Sequence, residues 1–234
     1  MQLTPDQRRA IDCVLSIFET GKIPSSKSYS TCTILPDGAG ISYGKHQCTD
    51  RAGSLDAVVK SYIQKGGKLA NELEVRLPLL ASNASTKVPP KGPWGTDVTN
   101  LVQLLREAGK DPTMWTAQDE VFDRDYFTPA LNHAKDIGLT TALGLLVVYD
   151  TCIHSGPGRV ATHRAAFPEK SPKNGGDEKA WVKAYVNARR AWLAGSGNPI
   201  VQKTVYRQDA ILDLIKADNW DLKLPFTVRK VVVS

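Results

Sequence analysis

The stretch Thr141–Ile153 constrains this chain more than any other. It reads Thr-Ala-Leu-Gly-Leu-Leu-Val-Val-Tyr-Asp-Thr-Cys-Ile, apolar on nearly every side of a helix, and a helix of that kind sits at the centre of a core. It falls well short of the ~20 apolar residues that a bilayer crossing requires. Its one acid, Asp150, makes the demand specific. A carboxylate inside such a helix must meet a cation, because stripping a buried ion of its partner costs roughly 3–5 kcal/mol. The cations on the helices that follow are Arg189, Arg190 and Arg207. Such a pair either serves structure alone or orients a catalytic group.

Around that helix the pattern is mostly helical. Thr4-Pro5-Asp6-Gln7 has the form of a capping box with proline in the first turn. Ile11, Val14, Leu15 and Phe18 then repeat at helical spacing up to Gly21, a natural stop. From Ile23 to Gly53 the character changes: serine-rich sequence, β-prone Tyr29–Leu35, the turn Pro36-Asp37-Gly38-Ala39-Gly40, and Ile41–Gly44 predict a small antiparallel element. Helices are expected again at Leu55–Ile63, around Val98–Ala108, after a Thr116 cap with a break near Pro129, after Asp177, and from Asn198-Pro199 onward. Ala81–Thr96, with three prolines and two glycines, reads as a connection between lobes. The expected class is mainly α (α+β): one domain over residues 1–234, folded as two lobes around a cleft, with a small β hairpin and a central buried helix.

Composition narrows the partners. Thirty Lys and Arg against 24 Asp and Glu leave +6, with no block of five or six basic residues, so nucleic acid is not the expected partner. An apolar share of 41% with 23% charged residues is that of a globular chain, not a disordered one. Cys13, Cys32, Cys48 and Cys152 contain no CxxC. Cys32 and Cys48 flank one loop-rich segment and are candidates to pair. His46, His133, His154 and His163 lack any metal-ligand spacing, and no phosphate or dinucleotide fingerprint occurs, so neither metal nor cofactor is expected. The start, Met1-Gln2-Leu3-Thr4-Pro5-Asp6, lacks the basic and apolar regions of a signal peptide. Action outside the cell or in the periplasm would then follow lysis or a dedicated secretion route.

Two further carboxylates stand out. Glu19 closes the first helix at the border of its apolar face, where the helix dipole and partial burial favour the protonated form that a general acid needs. Asp37 lies in the Pro-Asp-Gly turn. A helix-end Glu and a hairpin Asp facing one another make the two-carboxylate layout of a glycosidase, although Asp is also an ordinary turn residue.

These residues lie in motifs that resemble the glycoside hydrolase family 46 chitosanases, of lysozyme-like fold. The sequence is more similar still to chitosanase-like lysozyme domains on bacterial type VI secretion spike proteins and in phage-type wall hydrolases. The motifs run along nearly the whole chain: Ser16-Ile17-Phe18-Glu19, Asp37-Gly38, Ile41-Ser42-Tyr43-Gly44-Lys45-His46-Gln47, Val148-Tyr149-Asp150, Ile153-His154-Ser155-Gly156, Gly176–Trp181 leading to Ala188-Arg189, Val205-Tyr206-Arg207, and Asn219-Trp220-Asp221-Leu222. The resemblance implies Glu19 as the acid and Asp37 as the base that activates water with inversion, Asp50 being the reserve base. It puts Ser42 where the family has a Thr beside that water, and Asp150, Arg189 and Arg207 in an ion network behind Glu19. Tyr43, His46 and His154 are the substrate contacts expected from their motifs. Two departures are plain: Ala39 stands where chitosanases have Arg, and Ser54 where they have an acid that meets the sugar's amino group. With the positive charge, they favour peptidoglycan as the substrate of a monomeric enzyme, chitosan being the alternative. A wall-binding decoy without turnover is the reading from outside enzymes.

Overall fold

The computed structural model describes residues 1–35, 38–87 and 95–234. The chain starts with helix α1 (Pro5–Thr20), followed by strands β1 (Cys32–Leu35), β2 (Gly40–Tyr43) and β3 (Cys48–Thr49). Next come α2 (Ser54–Gln64), the short α3 (Ala70–Glu74), α4 (Leu77–Ala81) and α5 (Ala84–Lys87), then α6 (Gly95–Ala108) and α7 (Pro112–Phe122). The rest is α8 (Thr128–Ile137), α9 (Ala142–Ser155), α10 (Arg159–Arg164), α11 (Glu178–Ala194), α12 (Pro199–Gln202), α13 (Tyr206–Lys216) and a hairpin of β4 (Phe226–Val228) and β5 (Val231–Val233). No helix among the described residues is long and apolar enough to cross a membrane.

The backbone divides into two compact units. The first combines Met1–Ile23 with Asp125–Ser234, and the second is Pro24–Arg124. Ala81–Thr96, expected to connect lobes, therefore lies inside the second unit.

In the first unit α9 is the buried helix that its composition demands. Every residue from Ala142 to Cys152 is buried, and α1, α8, α10 and α11 pack against it. The Thr4 capping box is present, with Thr4 Oγ1 accepting from the Gln7 amide and Gln7 Oε1 from the Thr4 amide. Asp177 caps α11 by accepting from the Ala180 amide at 2.7 Å. The segment expected as one last long helix is instead α12, a 3-10 turn at Lys203–Val205, and α13. Asn198 caps only the first of these.

In the second unit β1, β2 and β3 form an antiparallel sheet in that order. Tyr43 pairs with Cys32 on one side and with Cys48 on the other. Directly opposed residues share a face, so the Tyr43 ring sits between the two cysteines. The cysteines are thus two strand spacings apart, roughly 9–10 Å, beyond the ~7 Å that a disulfide tolerates. All four cysteines are thiols, and the pairing considered for Cys32 and Cys48 is ruled out. Tyr43, Tyr62, Val58, Leu101, Leu105 and Met114 belong to the apolar core of this unit. The cap of α7 is Asp111, not Thr116: its carboxylate accepts from the Thr113 amide, with Pro112 in the first turn. The break expected near Pro129 is a π-helical segment, Asp123–Phe127, between α7 and α8.

Candidate active site

Glu19 is the penultimate residue of α1. The helix ends behind it at Gly21, whose positive φ of 75° lets its amide reach the Ile17 carbonyl. Next to Glu19, Phe18 is fixed by the start of α13. Tyr206 donates its hydroxyl to the Phe18 carbonyl at 2.6 Å, and the Arg207 guanidinium lies 5.0 Å from the Phe18 ring centroid. Arg207 Nη1 then donates to Glu19 Oε1 at 2.8 Å. The Glu19 side chain is 39% exposed, more open than a border position on an apolar face implies.

Behind Arg207 lies Asp150, fully buried. Arg207 donates to Asp150 Oδ1 through Nε at 2.9 Å and Nη2 at 2.5 Å. Arg189, equally buried, binds Asp150 Oδ2 through Nη1, and Gln208 Nε2 donates to the same oxygen at 3.2 Å. Burial by itself would push the Asp150 carboxyl up. The charges of Arg189 and Arg207 and their hydrogen bonds overcome this and hold it well below the usual carboxylate range. The Arg207 guanidinium is in turn held above its ordinary value: burial works against its charge, and Asp150 and Glu19 outweigh burial. Arg189 and Arg207 thus converge on Asp150, and Arg207 reaches on to Glu19.

Three arginines were candidates for Asp150, and the structure separates them. Arg189 and Arg207 bind it, while Arg190, one residue round α11, pairs with Asp209 at the surface. Gln208 is a member that the sequence reading missed; its signal was its place beside Arg207 at the start of α13. His154 lies one turn beyond Asp150 on α9, half-buried, with Nδ1 3.1 Å from Ser155 Oγ. Burial, with Arg207 next in weight, pushes its imidazole down to about 4, so it is neutral at ordinary pH.

In the second unit the residues expected around the base meet different fates. Asp37 lies outside the described residues. Ser42, in β2, is 5% exposed. Tyr43 is not a substrate contact: it is fully buried in the core, and its hydroxyl donates to the Leu105 carbonyl at 2.7 Å. Its β-strand alternation looked the same from sequence whichever way the ring pointed. His46 is likewise engaged within the unit. Its ring stacks on Phe122 at 3.8 Å between centroids, and Nε2 lies 2.9 Å from Asp119 Oδ1. Asp119 also accepts from Lys45 Nζ at 3.1 Å and the Tyr29 hydroxyl at 2.7 Å. Burial raises its carboxyl, but His46, Lys45 and Tyr29 bring it down to about 2. Gly44 faces the side chain of Gln118, where a Cβ would lie 2.0 Å from Oε1. The Gly44-Lys45-His46 motif is thus docked onto Gln118, Asp119 and Phe122 of α7. Asp50, the reserve base, is 2% exposed and accepts from Ser85 Oγ. Ser54 Oγ accepts from the Thr49 amide at 3.0 Å, so it closes the entry to α2. The described residues contain no group of three or more His, Cys, Asp or Glu able to hold a metal ion.

Comparison with known proteins connects the two units to one family. The model of glycosyl hydrolase family 46 matches residues 13–226. A chitosanase of Bacillus subtilis strain 168 is 30% identical over 241 residues, covering 97% of this chain and 83% of that protein. A chitosanase of Streptomyces sp. strain N174 is 28% identical over 223 residues, covering 91% and 75%. Among solved structures, native chitosanase from Bacillus subtilis MY002 superposes with a TM-score of 0.83 at 27% identity over 100% of both chains. A Gynuella sunshinyii family 46 chitosanase in complex with chitotetraose gives 0.82 at 28% identity, covering 99% and 98%. The fold is the mainly helical, lysozyme-like one expected from the sequence.

Proposed function

The chain belongs to glycosyl hydrolase family 46, and from that premise we propose that this glycoside hydrolase cleaves chitosan by single displacement with inversion. The observation that carries the mechanism is the placement of Glu19: a half-exposed carboxyl whose one oxygen is gripped by Arg207, itself locked by buried Asp150. A carboxyl held in one orientation by a rigid guanidinium is suited to deliver a proton to a glycosidic oxygen. Asp37 is the proposed base for water on the opposite face of the sugar, with Ser42 contributing to the hold on that water.

The substrate reading departs from the sequence-based preference for peptidoglycan. What supports chitosan is the relatives: those described above are chitosanases, at up to 30% identity over 97% of this chain, and the Gynuella enzyme is in complex with chitotetraose. The positive charge and the Ser54 position argued for an anionic polymer. Charge, however, bears on long-range attraction that salt screens, and Ser54 has a structural task at the start of α2. A polymer of this size is met outside the cytoplasm, so the proposed place of action is extracellular.

The test compares reducing-sugar release from fully deacetylated chitosan with turbidity loss of purified peptidoglycan, followed by proton NMR of the first product. Release from chitosan with the α-anomer appearing before mutarotation is expected. Clearing of peptidoglycan with chitosan left intact overturns the substrate, and first appearance of the β-anomer overturns the inversion.

A further inference from the structure

We propose that Asp50, through Ser85, is a positioning residue that clamps strand β2 and so sets the segment carrying Ser42; this rests on the chitosan-hydrolysis reading above. The geometry converges on Ile41. The Ile41 amide donates to Ser85 Oγ at 3.0 Å, and the Ile41 carbonyl accepts from the Asp50 amide at 3.1 Å. Ser85 Oγ spends its own proton on Asp50 Oδ2 at 2.5 Å. Asp50 and Ser85 thus take both backbone groups of one residue and bind each other. The grip is tight as well as polar. A Cβ built on Gly40, next to Ile41, would lie 2.3 Å from Ser85 Oγ and 3.2 Å from Asp50 Cβ, so only glycine lets Ser85 come this close.

The residue held in this way precedes Ser42, and Gly40, the first residue of β2, follows Asp37 by three positions in sequence. Ser85 is 5% exposed and Asp50 is 2% exposed. A carboxyl closed off to this degree is poorly placed to deprotonate a water on a polymer. Its second oxygen, Oδ1, is buried with no hydrogen-bond partner among the described residues. Burial pushes the carboxyl up, against the pull of the Ser85 bonds. A carboxyl committed to Ser85, which in turn holds the Ile41 amide, is placed to support position. The assignment of Asp50 thereby changes from reserve base to support for β2.

Four variants test this: Ser85→Ala, Asp50→Ala, the two combined, and Asp50→Asn, each checked for folding by circular dichroism. Asparagine offers Ser85 an acceptor but is no base, so it separates the two roles. If Asp50 positions β2, kcat on chitosan falls by about 10- to 100-fold in both alanine variants, the scale of a small misplacement. KM stays within about twofold, because the substrate contacts are untouched. Asp50→Asn recovers most of the lost kcat, and the two alanine changes combined cost no more than either alone. A kcat for Asp50→Asn as low as that of Asp50→Ala overturns the proposal, as does a normal kcat in Ser85→Ala. Should Asp50→Ala fail to fold, Ser85→Ala, which removes a single oxygen, carries the same test. A readout without turnover accompanies these. Hydrogen exchange at the Ile41 amide should accelerate at least about tenfold in Ser85→Ala, following loss of its acceptor, and unchanged exchange overturns the clamp. If the unmodified protein leaves chitosan intact, the substrate reading falls while the Ile41 exchange still decides the clamp.

Discussion

Replacing Asp150 with alanine is the most exacting test of the architecture behind Glu19. Four donors converge on this carboxylate: Arg189 Nη1, Arg207 Nε, Arg207 Nη2 and Gln208 Nε2. Alanine leaves two guanidiniums, 0% and 1% exposed, with Glu19 as the remaining acid of the cluster. Breaking a buried pair costs roughly 3–5 kcal/mol. Because one carboxylate here serves two arginines, the upper end applies, about 5 kcal/mol. For a chain of this size each kcal/mol moves Tm by roughly 2–4 °C, so a fall of roughly 10–20 °C is expected. Urea unfolding followed by far-UV circular dichroism measures the loss directly. Asp150→Asn keeps the shape but not the charge and should recover little. Asp150→Leu with Arg189→Met removes a charge and its counter-charge together and leaves Arg207 with Glu19. Replacing a buried pair by apolar side chains of similar size is often neutral or better, so the double variant should exceed Asp150→Leu alone by about 2 kcal/mol or more. The pH dependence has a definite sign. The folded pKa of Asp150 is lowered below its ordinary value of 3.8, so its contribution is complete above that value and is lost as pH falls through the folded one. Between about pH 5 and 8 the gap between parent and Asp150→Ala should stay constant. An alanine variant within about 1 kcal/mol of the parent, the scale of an exposed pair, would falsify this account.

The other predictions are brief. Glu19→Gln keeps an acceptor for Arg207 but has no proton to give, so kcat on chitosan should drop by at least ~10²-fold with the melting profile preserved; near-normal turnover in a folded variant removes Glu19 from the reaction. His163, 2% exposed, is pushed down to about 4 by burial and then by Arg189 and Arg159. Below about pH 6.5 the unfolded chain takes up a proton there that the folded chain refuses, so stability declines from pH 6.5 towards 4. His163→Phe should flatten part of that slope, leaving the share carried by His154; an identical slope in urea titrations at pH 4.5 and 7 would show that His163 carries none of it.

What was legible in the sequence was what a single element determines by itself. The burial of α9 followed from its composition, the start of α1 from Thr4 and Gln7, and the need of Asp150 for cations from its setting. Which cations was not legible. Arg189 and Arg190 are neighbours in sequence but ~100° apart around α11, and only packing decides which one turns inward. The same holds for Tyr43 and His46, whose motif is compatible with a substrate face. They are turned into the second unit by residues of α6 and α7, Leu105, Asp119 and Phe122, far from them in sequence. Ser85 could not have been linked to Asp50 or Ile41, since nothing local relates a serine on a four-residue helix to a strand more than forty positions earlier. The hairpin of β4 and β5 was missed because Val231-Val232-Val233 is too short a run to separate from any other β-branched segment.

The division of the chain has a consequence for its synthesis. The second unit is one continuous segment, whereas the first is made of Met1–Ile23 and Asp125–Ser234. A ribosome therefore delivers α1 with its apolar face formed and none of its partners yet in existence. Arg207 follows Glu19 by 188 positions, a delay of roughly 10–40 s at 5–20 residues per second. During that interval the intervening unit, whose core cluster is built from its own residues, is fully translated. The proposed acid is thus translated 188 positions before the guanidinium that sets it in place. A nascent or stalled chain carries the carboxyl without the guanidinium that orients it, which arrives only with α13.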